Sequence, residues 1–208
     1  MLIQDLSATK RKIFLTLVQK RVKSGTGSGI NFLSQRTWNN PVTDLNSILK
    51  QAPFVVVGGI ATRMYMPERM TLDLDILIKA EDSPLIYQDL ENARAKKIGD
   101  LSIAGSQWQL ADKTSLDVLE GEDYWVEEAL SQPNYAPDGL PIISLPYLIL
   151  MKLSASRTQD LADVSRMLGL AKIEELNHIR EVIKNYLPTA QEDLESLIML
   201  GKLEMGNL

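Results

Sequence analysis

The chain has 208 residues, 45% of them hydrophobic, with 22 Lys and Arg against 27 Asp and Glu for a net charge of −5. That length suits one globular domain, or a core with a small helical partner, and the overall charge makes no general trap for nucleic acid, although a local basic patch remains open. The absence of cysteine excludes disulfides, thiolate metal sites and a cysteine nucleophile, and a single histidine, His178, excludes multi-histidine metal sites and most histidine-based triads. Catalysis, if there is any, must run on carboxylates, Lys, Arg, Ser, Tyr and a bound metal.

In chain order, residues 5–23 read as a helix in which Ile13, Leu15, Leu17 and Val18 are interspersed with Lys10, Arg11, Lys12, Lys20, Arg21 and Lys23, with Ser7 as a candidate N-cap. The start of the chain lacks the basic-then-apolar order of a signal peptide, and no apolar run is long enough to span a bilayer. The expected location is cytoplasmic. The run Ser24–Gly29 is a linker or turn, and a second helix is expected after Thr43, through Leu45, Ile48 and Leu49. Residues 53–59 form a short β-branched run ending in Gly58 and Gly59, read as a buried strand; residues 60–66 continue as a short helix closed by Pro67. Residues 71–78 alternate as a second strand. A helix is expected over Ser83–Lys96, with Ser83 as cap and Pro84 at its first position. Residues 102–120 read as two or three strands with turns at Gly105–Ser106 and Asp112–Lys113, and Asp123–Leu130 as a short helix. After Pro141 the periodicity is helical over Leu145–Met167, Ile173–Tyr186 and Leu187–Leu200. The implied organisation is an N-terminal helix and linker (1–40), an α+β core (41–143) and a C-terminal helical region (144–208).

Chemistry concentrates in the second strand. Side chains two apart on a strand share a face, so Asp73 and Asp75 point the same way and repel unless a cation lies between them. Mg2+ accepts one or two carboxylates together with phosphate oxygens and water. Asp117, between Leu116 and Val118, joins the pair if its strand lies alongside; Asp112, Glu120 and Glu122 compete for that place, and an ordinary half-exposed strand aspartate would look the same. Three carboxylates can hold metal ions at both the attacking and leaving oxygens, and Asp117 can also accept a proton from an acceptor hydroxyl. Gly58 and Gly59, at a strand-to-helix junction, allow close approach of a phosphate, although a tight turn alone also favours glycine. No Walker-type P-loop is present.

Together, the apolar strand, Gly58-Gly59, the short helix, Asp73-x-Asp75 and the later Leu116-Asp117-Val118 resemble the signature of the nucleotidyltransferase superfamily over residues 54–119. Arg69-x-Thr71-x-Asp73-x-Asp75, with Lys152, Arg157, Asp160 and Asp163, is most similar to the AbiEii/AbiGii type IV toxin group, extending the likeness to about residue 168. The resemblance implies a mixed sheet with flanking helices followed by a C-terminal helical bundle. It implies a Mg2+-dependent transfer of a nucleoside monophosphate from a nucleoside triphosphate to an RNA end such as tRNA or to a protein hydroxyl, in a toxin that pairs with an antitoxin protein. By that likeness Asp73, Asp75 and Asp117 are catalytic and ligate the metal. Gly58, Gly59 and Lys152 hold the triphosphate, Arg157 and Asp160 line the same cleft, and Arg69 contacts phosphate or partners an aspartate. The alternatives are transfer to a small molecule such as an aminoglycoside, and an inactive member that binds nucleotide or a partner protein.

Other features have plain readings. The basic stretch Lys10–Lys23 is a solvated face or an RNA contact; His178 is a surface residue; Trp108, Tyr124 and Trp125 belong to core or cleft wall; Arg157, Asp160 and Asp163 can form a helix-surface ion network. Arg63 and the N-terminal helix are not explained by the resemblance.

Overall fold

A computed structural model describes residues 43–66 and 73–206, so the N-terminal helix, the linker, Pro67 and Arg69 lie outside the described residues. The first described elements are α1 (Leu45–Ile48), β1 (Val55–Val57) and α2 (Gly58–Ala61), followed by a 3-10 turn at Thr62–Met64. Next come β2 (Leu74–Lys79), α3 (Ser83–Asn92), β3 (Lys96–Asp100), β4 (Gly105–Gln109), β5 (Ser115–Gly121) and α4 (Tyr124–Ser131). Two short strands, β6 (Asn134–Tyr135) and β7 (Pro141–Ile142), precede the helices α5 (Leu145–Ala155), α6 (Thr158–Leu170), α7 (Ile173–Tyr186) and α8 (Gln191–Met205).

Among the described residues the strands form one mixed sheet in the order β3-β4-β5-β2-β1-β7-β6. β2 pairs antiparallel with β1 and parallel with β5, and β7 adds parallel to the far side of β1. The central strands are apolar because the sheet is covered on both faces: Val55, Val56, Val57, Ile76, Ile78, Leu116 and Val118 are all fully buried. On one face α3 packs through Ile86, Leu90 and Tyr87, whose ring meets Trp108 with centroids 5.2 Å apart. On the other, α4 covers Leu77 and Gly121, where the Val126 side chain occupies the space a Cβ on Gly121 would need. α5 extends that cover, tied to α4 by a 2.7 Å hydrogen bond from the Tyr147 hydroxyl to Glu128.

Several boundaries differ from the sequence reading for local physical reasons. α3 stops at Asn92 rather than Lys96, because Arg94 takes a left-handed conformation (φ 64°) and turns the chain into β3, a strand the periodicity did not reveal. Ser83 does not cap α3: a 3-10 turn at Ala80–Asp82 runs directly into the helix, and the Ser83 hydroxyl donates back to the Ala80 carbonyl at 2.8 Å. Gly105–Ser106 opens β4 instead of forming a turn, since Gly105 (φ 140°) lies flat against the Val118 carbonyl, where a Cβ would collide. The turn at Asp112–Lys113 is present, with Lys113 at φ 72°. The long helix expected over Leu145–Met167 is two helices, broken where Ser156 adopts φ 50° and its N–H caps the Lys152 carbonyl. β6 and β7, two residues each, are too short to leave a pattern.

α6 and α8 cross at Gly169 and Gly201, whose backbones lie in contact: a Cβ on either would strike the backbone of the facing helix. We predict that Gly169→Ala and Gly201→Ala each destabilise the protein by about 1–3 kcal/mol through overpacking, measured as a shifted urea midpoint at unchanged slope.

Candidate active site

The parallel pairing of β2 and β5 decides the geometry. Its register places Asp75 directly opposite Asp117, with Leu74 opposite Leu116 and Ile76 opposite Val118. Alternation sends Leu74, Ile76, Leu116 and Val118 into the core and turns Asp75 and Asp117 to the other face, together with Val57 of β1, which pairs with Asp75. Asp73 precedes β2 with the same parity. All three carboxylates line a cleft of about 520 Å³. Its floor includes Gly58 and Gly59; one wall is the β3–β4 loop with Leu101, Ser102 and Ile103, and the other is α5 and the start of α6, with Met151, Lys152, Arg157 and Asp160.

Gly58 is required twice over. Its φ of 64° disfavours any side chain, and a Cβ there would overlap the Asp75 carboxylate. Asp75 is mostly shielded from water, and neither of its oxygens accepts a hydrogen bond from another described residue. Burial, then the charges of Asp117 and Asp73, push its carboxyl from 3.8 up to about 7, against a smaller opposing pull from Arg157 and Lys152. Asp117 is held differently: Gln107, opposite it on β4, donates Nε2–H to Oδ1 at 3.1 Å, and Oδ2 accepts no hydrogen bond among the described residues.

The basic groups form a second layer. Lys152 is buried, its Nζ donating to Asp160 Oδ1 at 2.8 Å and Asp163 Oδ2 at 2.9 Å, and both aspartates are buried as well. Arg157, the N-cap residue of α6, donates Nε–H to Asp160 Oδ2 at 2.5 Å, while its side chain is 76% exposed. Hydrogen bonds from Arg157 and Lys152 outweigh the burial of Asp160 and hold its carboxyl below the usual range. This cluster is buried at its centre rather than being a helix-surface network, because α5 and α6 fold against each other at Ser156 and enclose it.

The competing carboxylates are excluded by position. Glu120 lies on the opposite face of β5 and accepts from the Tyr87 hydroxyl, Asp112 is engaged in its turn by Thr43 and Thr114, and Glu122 is exposed. Trp108 is in the core, Trp125 stacks on Tyr147, and Tyr124 is 92% exposed, so it is neither core nor cleft wall. His178 is exposed, as its helix periodicity suggests. Arg63 is buried and does not line the cleft. Two contributors escaped the sequence reading: Gln107, and the apolar pair Leu101 and Ile103. Gln107 alternates with buried Ser106 and Trp108, a hint that it shares a face with something polar, but only the β4–β5 register names Asp117.

Among the described residues no group of three or more His, Cys, Asp or Glu side chains converges closely enough to hold a metal ion by protein ligands alone. The donor set nevertheless fits Mg2+, which keeps water and substrate oxygens in most of its positions and asks for one or two carboxylates. A carboxylate that receives no hydrogen bond among the described residues and is pressed by two like charges suits a hard cation.

The chain matches no protein-family profile and no curated protein sequence. Solved structures similar to it include ANT(2'')-Ia in complex with adenylyl-2''-tobramycin (18% identity, 73% of this chain and 87% of that one, TM-score 0.41). They also include the lincosamide antibiotic adenylyltransferase LnuA, lincomycin-bound (16%, 64% and 100%, TM-score 0.42), and a candidate nucleotidyltransferase from Thermotoga maritima (13%, 81% and 95%, TM-score 0.42). Likeness of this extent does not by itself assign a family.

Because Asp75 ionises less readily in the folded protein than in the unfolded chain, its contribution to stability is complete below its ordinary value and drains away as pH rises through about 7. Asp75→Asn removes that loss. With a chelator present, the variant is expected to melt above the parent at pH 8, with the difference shrinking at pH 5; calorimetry at the two pH values checks it.

Proposed function

We propose that this chain is a Mg2+-dependent nucleotidyltransferase, moving a nucleoside monophosphate from a nucleoside triphosphate to an acceptor hydroxyl. The observation that carries the reading is the in-register placement of Asp75 and Asp117 on adjacent parallel strands, facing with Asp73 a cleft floored by Gly58 and Gly59. Asp75 together with Asp117 or Asp73 would hold Mg2+, with water and substrate oxygens in its other positions; when bound, the ion neutralises phosphate charge and supplies Lewis acidity. Gly58 and Gly59, which line the cleft, would let phosphate oxygens come close to the backbone, and the Arg157 guanidinium would offer its outer fork to them. The acceptor oxygen attacks the α-phosphorus while the bond to the β-phosphate oxygen breaks, so pyrophosphate leaves. The hydroxyl proton passes to Asp117 Oδ2, the oxygen that Gln107 does not occupy. Most of the rate then comes from positioning and charge neutralisation.

Two acceptor classes remain in play. The likeness of Lys152, Arg157, Asp160 and Asp163 to the type IV toxin group favours an RNA end such as tRNA, or a protein hydroxyl, with an antitoxin partner. The charge of the cleft favours a small neutral or cationic acceptor such as an aminoglycoside. Four aspartates (73, 75, 117 and 160) face Lys152 and Arg157, and Lys152 is already neutralised by Asp160 and Asp163. The apolar wall of Leu101, Ile103, Leu119 and Met151 suits a sugar or ring face better than a phosphodiester backbone. Among the described residues no helix is long and apolar enough to cross a membrane.

The test is incubation with each α-labelled triphosphate, Mg2+, and total tRNA, cell protein or an aminoglycoside. Label should enter one acceptor class, and Asp73→Ala and Asp75→Ala should each cut transfer by about 100-fold or more while circular dichroism stays native. Full transfer by either variant, or none by the parent with any acceptor, would reject the reading.

A further inference from the structure

Lys152 faces the cleft by position, yet its ammonium is committed elsewhere. Two of its three N–H bonds go to Asp160 and Asp163 at 2.8 and 2.9 Å, and the residue is 5% exposed. Asp160 in turn uses its second oxygen for Arg157 Nε. The contacts form a single chain, Asp163–Lys152–Asp160–Arg157, that runs from the packed interior of α6 outward to the cleft. Burial falls sharply at its last link: the Asp163, Lys152 and Asp160 side chains are 1%, 6% and 5% exposed, and Arg157 is 76% exposed. Among the described residues, the outer nitrogens Nη1 and Nη2 of Arg157 make no hydrogen bond.

We infer that Asp163 and Lys152 are positioning residues that hold Asp160, and through it aim the free guanidinium fork of Arg157 at the phosphates of the bound triphosphate. The inference rests on the transferase reading for the identity of the ligand. A guanidinium gripped at Nε keeps its planar fork in one orientation, which is what bidentate capture of a phosphate needs. Nothing else among the described contacts restrains it, since Arg157 follows the left-handed Ser156 and begins α6, where its backbone alone would leave the long side chain to sample many rotamers. The paired charges sum to zero across the four residues, so the chain orients Arg157 without adding net charge beneath the acidic trio.

The merely structural alternative is that the buried ions glue α5 to α6. The two roles separate because a buried ion pair replaced by apolar side chains of similar size commonly keeps or gains stability. Inorganic tripolyphosphate with Mg2+ serves as probe, its affinity read by calorimetry in Asp163→Asn and in Lys152→Met/Asp163→Leu, each made in the parent and in an Arg157→Ala background. Both changes should weaken tripolyphosphate binding roughly tenfold in the parent, and neither should weaken it further once Arg157 is gone. Because the double variant leaves Asp160 Oδ1 without its Lys152 donor, it is compared with the parent at a temperature where circular dichroism shows both folded. Recovery of affinity along with stability would overturn the proposal. A further loss in the Arg157→Ala background would overturn it too, by showing that Lys152 meets phosphate itself. The Arg157 Nε–H proton resonance gives a readout free of any ligand: slowly exchanging in the parent, it should vanish into solvent exchange in both variants, and its persistence would defeat the inference. If the parent binds no tripolyphosphate, the transferase reading falls, while this resonance still decides whether Asp163 and Lys152 hold Arg157.

Discussion

Two like charges held opposite one another on neighbouring strands are the constraint around which this molecule is organised. Parallel strands some 4.8 Å apart put Asp75 and Asp117 within reach of each other's field, and the burial that shields Asp75 from water deepens the conflict. A fold tolerates this arrangement only if its core is stable enough to carry an ionisable group driven so far from its ordinary range. The buried apolar residues of β1, β2 and β5 (Val55, Val56, Val57, Ile76, Ile78, Leu116 and Val118), covered by α3 on one face and by α4 and α5 on the other, supply that core. The cleft opens where β1 ends and β2 and β5 begin, so the central strands of the sheet hold the least comfortable side chains.

The surrounding residues make sense as responses to that constraint. Gly58 is bare and left-handed because any Cβ would displace the Asp75 carboxylate. Gln107 pins one oxygen of Asp117 and so distinguishes it from Asp75, whose oxygens receive no hydrogen bond among the described residues. The opposing positive charge comes from the far wall at one remove: Arg157 and Lys152 lower the cost of ionising Asp75 through space while being bonded to Asp160. In the proposed reaction this division leaves the aspartates for the metal and the acceptor proton, and Arg157 for phosphate.

The C-terminal helices are joined to this chemistry by packing rather than appended to it. The break at Ser156 folds α6 back on α5, which buries the Asp163–Lys152–Asp160 chain and brings Arg157 to the cleft. The glycine contact between α6 and α8 braces the other end of α6. A helix running straight through from Leu145 to Met167 would have left the same residues strung along a solvated surface.

By itself the sequence determined the acidic strand, the twin glycines, the apolar strands beside them and the helical texture after Pro141, because strand alternation and helix periodicity are local rules written in neighbouring residues. By having no cysteine and one histidine it also excluded thiolate and multi-histidine chemistry, leaving carboxylates, Lys, Arg, Ser, Tyr and a bound metal. Only the tertiary structure decided which strand lies next to β2, and hence that Asp117 rather than Glu120 or Asp112 faces Asp75. That choice depends on a pairing across some forty residues, which no local periodicity encodes. It likewise decided that Lys152 is buried between two aspartates and that α5 ends at Ser156, since a left-handed residue at a non-glycine position and an ion cluster closed by helix packing are set by long-range contacts that leave no periodic trace.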